Sequence, residues 1–305
     1  MGKRRNRGRN ITGILLLNKP ADITSNKALQ QVKGLYFAAK AGHTGSLDPI
    51  ATGVLPICFG EGTKFSQFLL NADKKYRTIA KLGVKTTTAD REGDVIETKP
   101  VAVTKEQLVK ILQQFTGTIS QVPSMYSALK KDGVPLYKLA RQGLEVERDA
   151  REVDIYSLEL LSFTGDEVEL DVHCSKGTYI RNLVEDIGEM LGCGAHVQEL
   201  HRTAVGPFDI EQTYTMEYLE QLKSQDAKLE LDQLLMPIEK ALADWPAIDL
   251  SADEAYYLKQ GQAVKIAGTP AEGLVSLFEP EKVFLGMGVI NDDGKVSPKR
   301  LLKQE

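Results

Sequence analysis

The chain has 305 residues, of which 42% are apolar and 26% charged, with a formal net charge of −4. This is the composition of a folded globular protein and excludes a disordered or low-complexity chain. No apolar run approaches the roughly 18 residues of a membrane-spanning helix. No apolar signal-peptide segment follows the basic start, so a cytoplasmic protein is expected. The three cysteines, Cys58, Cys174 and Cys193, are odd in number and form no C-x-x-C pair, which fits a reducing compartment rather than a disulfide framework. Charge is uneven: residues 1–10 carry five basic and no acidic groups, whereas residues 217–254 hold ten acids against three bases. Distribution, not net charge, decides whether a polyanion can bind.

In chain order, residues 1–10 read as a basic flexible arm. Gly13 to Leu17 reads as an apolar strand ending at Asn18-Lys19-Pro20. Ser25 is the expected N-cap of a helix running to about Tyr36, with Ala28, Leu29, Val32 and Tyr36 on one face. A glycine-rich loop follows, then a strand around Val54–Phe59 and a helix over Glu61–Leu70. Lys74 to Leu82 alternates as a half-buried strand does, and Asp94–Thr98 is its expected partner. Thr104 caps a helix to Phe115. Gln121 to Gly133 is irregular, and Pro135 opens a short helix ending at Gly143. Val153–Phe163 and Glu167–Cys174 form a predicted hairpin. Tyr179 to Leu191 is helical with Gly192 as its C-cap, and Gln198–Val205 is again a strand. The acidic segment is helical, broken by Pro237 and Pro246. Beyond it, Leu274–Phe278 and Val283–Ile290 suggest a small all-β module. Strands and helices mix without a regular β-α-β beat, which predicts an α+β fold on a largely antiparallel sheet.

The chemistry concentrates in Gly42-His43-Thr44-Gly45-Ser46-Leu47-Asp48-Pro49. Asp48 is alone, with no second acid nearby, so the loop is neither a metal cage nor a local carboxylate dyad. A lone loop carboxylate suits a nucleophile or a single general base. It needs a cation to stay ionised in an apolar site, and Arg181, where a strand end meets a helix start, is the best candidate. Such an arginine lowers a carboxylate pKa by about 1–3 units. By position alone Arg181 also suits a surface helix. Tyr76, flanked by Lys74, Lys75 and Arg77, reads either as a core tyrosine or as a plate for a planar base. Tyr179 admits the same two readings, and His43 admits exposure or insertion into a ligand. His173, Cys174, Cys193, His196 and His201 invite a metal reading. Adjacent strand residues point to opposite faces, however, and Cys174 shares its face with Val168, Leu170 and Val172. No metal and no cofactor are expected.

These motifs, with Lys19-Pro20, Lys75-Tyr76-Arg77, the segment 123–130 (Pro-Ser-Met-Tyr-Ser-Ala-Leu-Lys) and His173-Cys174-Ser175-Lys176-Gly177-Thr178-Tyr179-Ile180-Arg181, make the chain resemble the bacterial tRNA pseudouridine synthase B family over essentially its full length. The resemblance implies an isomerase that converts the T-arm-loop uridine of tRNA conventionally numbered 55 to pseudouridine. It implies Asp48 as catalytic aspartate, Arg181 as its ion-pair partner and Tyr76 as the tyrosine stacked on the uracil. Tyr179 and Leu200 match other pocket positions, and His43 matches the histidine that enters the T loop. Lys19 and Asp90 fall at positions of pocket support. The implied domains are a basic arm at 1–10, a catalytic domain at 11–250 and a PUA-like, barrel-like RNA-binding domain at 251–305. The implied partner is tRNA. No membrane and no required protein partner are expected, and a monomer is expected because no strong apolar seam appears. The chain departs from the family pattern where Asp-Lys-Pro followed by Gly is usual: it has Asn18-Lys19-Pro20 and Asp22.

A non-catalytic RNA-binding protein would need the basic face and the C-terminal module, but not Asp48, Arg181 and Tyr76 together. A pseudouridine synthase acting on another RNA is the nearer alternative, and a metal hydrolase the third.

Overall fold

The computed structural model of the protein describes residues 8–127, 129–140 and 142–303. Residues 1–7 of the expected arm and Ala128 of the 123–130 motif therefore lie outside the described residues. At the arm's inner end Arg9 is tied down. Its backbone pairs with Phe37 and Ala39, and its guanidinium pairs with Asp232.

Seven long strands build the main sheet: β1 (Gly13–Lys19), β2 (Thr52–Phe59), β3 (Lys74–Leu82), β4 (Gly117–Gln121), β5 (Arg151–Thr164), β6 (Glu167–Cys174) and β7 (Ala195–Val205). Their spatial order is β1-β2-β7-β3-β6-β5-β4, with short edge strands adding to it. Only β2 with β7, and β1 with Tyr214–Thr215, run parallel; the other neighbours in this order are antiparallel. The α+β, largely antiparallel architecture is as expected. Strand β1 is buried on both faces, and its near-continuous apolar run follows from that. Leu15 and Leu17 face one core with Ala28, Val32, Leu55, Ile57, Leu183 and Ile187. Ile14 and Leu16 face a second, with Phe65, Phe68, Leu242, Phe284 and Met287.

Helix α1 (Ser25–Leu35) buries Ala28, Leu29 and Val32. Its cap is Thr24, whose side chain accepts from the Lys27 N–H, rather than the expected Ser25. Ser25 is buried and turned toward the glycine-rich loop. Helix α2 (Lys105–Leu112) starts at a capping box made by Thr104 and Gln107. Helix α3 (Ile180–Met190) packs on β7, where Gly188 meets the Ala195 backbone so closely that an added Cβ would lie 2.3 Å from its nitrogen.

Two expectations need correction. Glu61–Leu70 is not one helix but a 3-10 turn over Gly60–Lys64 followed by a short helix, Ser66–Leu70. Two glycines in its first turn lower its helical preference, and Gly60 takes φ +51°. The 95–98 strand pairs with Val84–Thr86, not with β3, because β6 and β7 already occupy both edges of β3.

At the C-terminus a four-stranded sheet of β8 (Ala247–Asp249), β9 (Gly273–Glu279), β10 (Val283–Ile290) and β11 (Val296–Leu301) lies in chain order. It is not all-β: helix α4 (Ala252–Lys259), entered through a Ser251 capping box, packs Ala255 and Leu258 into its core. The first strand of this sheet begins at Ala247, ahead of Ser251.

Candidate active site

The glycine-rich loop crosses from the short strand Ala41–His43 to β2. It is held by buried side chains rather than by its own hydrogen bonds alone. The Leu47 N–H donates to Ser25 Oγ at 2.7 Å, and that hydroxyl donates to the Leu47 carbonyl at 2.9 Å. The Lys19 ammonium, 0% exposed, donates to the carbonyls of Pro20 (2.7 Å), Pro49 (3.2 Å) and Ala51 (2.7 Å). Burial without a carboxylate contact pulls its pKa down to about 8. The Asp22 N–H donates to the Pro49 carbonyl. Asp22 itself takes φ +62°, the left-handed conformation that glycine adopts freely and Asp tolerates better than most residues. The Asp22 carboxylate lies 3.3 Å from Arg91.

This frame leaves the Asp48 carboxyl at the edge of a cleft of about 450 Å³. Arg181, only 4% exposed in the first turn of α3, reaches it twice. Nη2 donates to Oδ1 at 3.3 Å, while Nε lies 2.9 Å from Oδ2 in an ion-pair contact not aligned as a hydrogen bond. The rest of the guanidinium is fixed from behind. Nη1 donates to Asp90 Oδ2 (3.2 Å) and the Thr88 carbonyl (3.1 Å), and Nη2 to the Tyr126 carbonyl (3.1 Å). Asp90 Oδ1 accepts from Thr88 Oγ1 and the Glu92 N–H. Arg181 is thus a buried linchpin, not a surface helix residue.

The expected depression of the Asp48 pKa is corrected by this geometry. Burial raises it, and the charge of Asp90 adds to the rise, against the opposing pull of Arg181 and Lys19. Arg181 does lower it, as expected, but its charge is divided between two carboxylates. The Asp48 side chain stays 36% exposed to the cleft, within reach of a substrate.

Tyr76, Tyr179, Leu200 and His43 line the same cleft. Tyr76 and Leu200 arrive on neighbouring central strands, β3 and β7. Tyr179 precedes α3, and its backbone is clasped by the Gln121 side chain through bonds of 3.1 and 3.3 Å. Burial raises its hydroxyl pKa. Burial and the charge of Arg202 lower the His43 pKa, which favours a neutral ring whose buried Nδ1 has no protein partner. Lys19 and Asp90 do not line the cleft: both lie behind its wall, so they hold the loop and Arg181 rather than touch a ligand. Lys74, which flanks Tyr76, and Ser127 of the 123–130 motif also line it, as does Arg202, which was not expected. The signal for Arg202 was the alternation of β7, which puts it on the face of Leu200. Cys174 is buried and free, on the apolar face expected for it.

Three family models match the chain in succession: the TruB family pseudouridylate synthase N-terminal domain over residues 33–180, the tRNA pseudouridylate synthase B C-terminal domain over 181–243, and the pseudouridine synthase II TruB C-terminal region over 246–302. The chain is 57% identical to a tRNA pseudouridine synthase B of Stutzerimonas stutzeri over 297 residues, 97% of each chain. It belongs to the tRNA pseudouridine synthase B family. A Vibrio parahaemolyticus relative of the same name is 54% identical over 98% of each chain. Among solved structures, one of a Cbf5-Nop10-Gar1 complex matches at 27% identity and TM-score 0.73, covering 96% of this chain and 84% of that one. An H/ACA RNP structure matches at 23% identity and TM-score 0.74, over 99% and 92%, and shares the fold. Among the described residues no helix is long and apolar enough to cross a membrane.

Proposed function

We propose that this member of the family converts the T-arm-loop uridine of tRNA, at the position conventionally numbered 55, to pseudouridine. The observation that carries the proposal is Asp48. It is a single carboxylate open to a cleft, gripped through both oxygens by a buried arginine, with two tyrosines and a leucine supplying flat and apolar walls. A base removed from its stack needs such walls.

The reaction breaks the N1–C1′ bond, turns the uracil and joins C5 to C1′. C5 loses a proton and N1 gains one, so product and substrate are isomers and no external oxidant or energy source enters the balance. Asp48 is assigned the attack or assistance at the glycosidic bond, and Arg181 the task of orienting it. Tyr76 is assigned stacking and removal of the C5 proton. Tyr179 and Leu200 complete the walls, and His43 fills the space in the T loop that the base leaves. Lys19 and Asp90 act from behind. RNA recognition is by shape and backbone, with the C-terminal unit from about Ser251 as a second RNA contact. The protein works as a monomer and needs no protein partner.

The test is tritium release from tRNA transcript labelled at uridine C5, with Asp48→Asn alongside. One equivalent released by wild type, none by Asp48→Asn, and none when the T-loop uridine is replaced by cytidine is the expected result. Binding without release identifies a binding protein or the wrong RNA.

A further inference from the structure

Arg202 is the least expected residue of the cleft. It is 1% exposed, yet among the described residues no carboxylate lies within ion-pair distance of it. It donates instead to two backbone carbonyls: Nε to Val54 O at 2.8 Å and Nη2 to Gly45 O at 3.4 Å. Burying a charge without a counter-ion is costly, so a purely structural clamp would be better made by a neutral side chain.

Its place in the sheet shows what the charge meets. On β7, Arg202 stands opposite Gly53 of β2 on one side and opposite Tyr76 of β3 on the other. Directly opposed residues on adjacent strands have Cβ atoms about 4.5–5.5 Å apart. On the β2 side the approach is so close that a Cβ on Gly53, at φ +103°, would lie 2.2 Å from the Arg202 carbonyl. One guanidinium therefore ties the two ends of the segment that carries Asp48, at Gly45 and Val54, to β7, the strand paired with the one that carries Tyr76.

We propose that Arg202 is a positioning residue of the reaction, fixing the Asp48 loop against β3 and holding the Tyr76 oxygen as acceptor of the uracil C5 proton. The inference rests on the isomerase reading above. In the step, the C5–H bond breaks and its electron pair forms the C5–C6 double bond. The C6–N1 pair moves to N1, which takes a proton from water, and the Tyr76 phenolate becomes a phenol. That proton later returns to solvent. Burial raises the Tyr76 pKa and so disfavours the phenolate, and the charge of Arg202 opposes that rise. The other ionisable groups bearing on Tyr76 are Asp48 from the loop and Cys174 from β6, both of which disfavour the phenolate. Lys74 on its own strand and Arg181 and Tyr179 from the α3 end share the cleft. Arg202 is the cation in direct cross-strand register with the ring.

The experiment is single-turnover pseudouridine formation on full-length tRNA carrying protium or deuterium at C5 of the target uridine, across pH, for wild type, Arg202→Met and Arg202→Lys, with Asp48→Asn and melting curves alongside. General-base assistance contributes about 10²–10⁴-fold. Arg202→Met is expected to lose about 10²-fold or more, with tRNA affinity kept, a larger deuterium isotope effect, and an alkaline shift of the pH at which the rate levels off. Arg202→Lys, with charge but no fork, is expected to show the same changes to a smaller degree. If Arg202→Met fails to fold, Arg202→Lys decides by the same two readouts. Rate loss with an unchanged isotope effect and pH profile would leave Arg202 a structural clamp and overturn the proposal, as would a near-normal rate. Pseudouridine formation by Asp48→Asn would instead overturn the isomerase assignment on which it rests.

Discussion

Replacing Arg181 by Met tests the site most severely. The guanidinium is 4% exposed and serves two carboxylates and two carbonyls. Removing one partner of a buried ion pair costs about 3–5 kcal/mol. Asp90 bears that cost in full, because it is buried, although it keeps Thr88 Oγ1 and the Glu92 N–H. Asp48 is 36% exposed, so solvent screening confines its share to the lower end of that range. If the loss falls on the transition state at about 1.4 kcal/mol per tenfold, the single-turnover rate drops by about 10²–10³-fold. Loss of the cation also raises the Asp48 pKa further, so the acid limb of the pH–rate profile moves to higher pH. The assay is rapid-quench tritium release with excess enzyme, paired with filter binding of the same tRNA and a melting curve. Binding is expected to stay within a few fold. A rate within tenfold of wild type and an unmoved acid limb, in a folded variant, would refute the claim that Arg181 orients and charges Asp48.

Asp48→Asn keeps the loop geometry, since Ser25 and Lys19 bind the backbone and not the carboxylate. Turnover should vanish with tRNA affinity largely intact, which filter binding checks. Gly53→Ala should cost more than about 4 kcal/mol, because φ is +103° and its Cβ would lie 2.2 Å from the Arg202 carbonyl; a melting temperature near wild type would contradict the packing. Lys19→Met leaves three carbonyls of the loop without their donor, a loss of about 1–3 kcal/mol, read by denaturant unfolding. The Lys19 pKa is about 8 in the folded protein against 10.5 for a solvated lysine, so the unfolded chain binds more protons between those values. Lys19 therefore makes stability rise with pH across that window, and Lys19→Met should flatten the rise. Affinity for tRNA should fall as salt rises, because phosphate neutralisation releases counterions; a flat response would argue against a phosphate-rich interface.

Much of this protein was legible in the chain itself. Local periodicity gave β1, β3, the β5–β6 hairpin and the buried faces of α1 and α3, because each depends on residues two to four positions apart. The motifs around Asp48, Tyr76 and Arg181 pointed to a family, and geometry then placed all three on one cleft. What the sequence could not decide was anything resting on pairing between distant strands. Strand β7 inserts between β2 and β3, more than a hundred residues earlier in the chain, and this alone puts Arg202 between Gly53 and Tyr76. The same insertion fills the edge of β3 and sends 95–98 to another partner. Whether Asp48 is charged was also a tertiary question: desolvation by the whole cleft opposes one arginine shared with Asp90, and a balance between burial and ion pairing has no local signature. Sequence spacing set the residues that could act. Only the strand order of the sheet decided which of them face a ligand and which, like Lys19 and Asp90, hold the others in place.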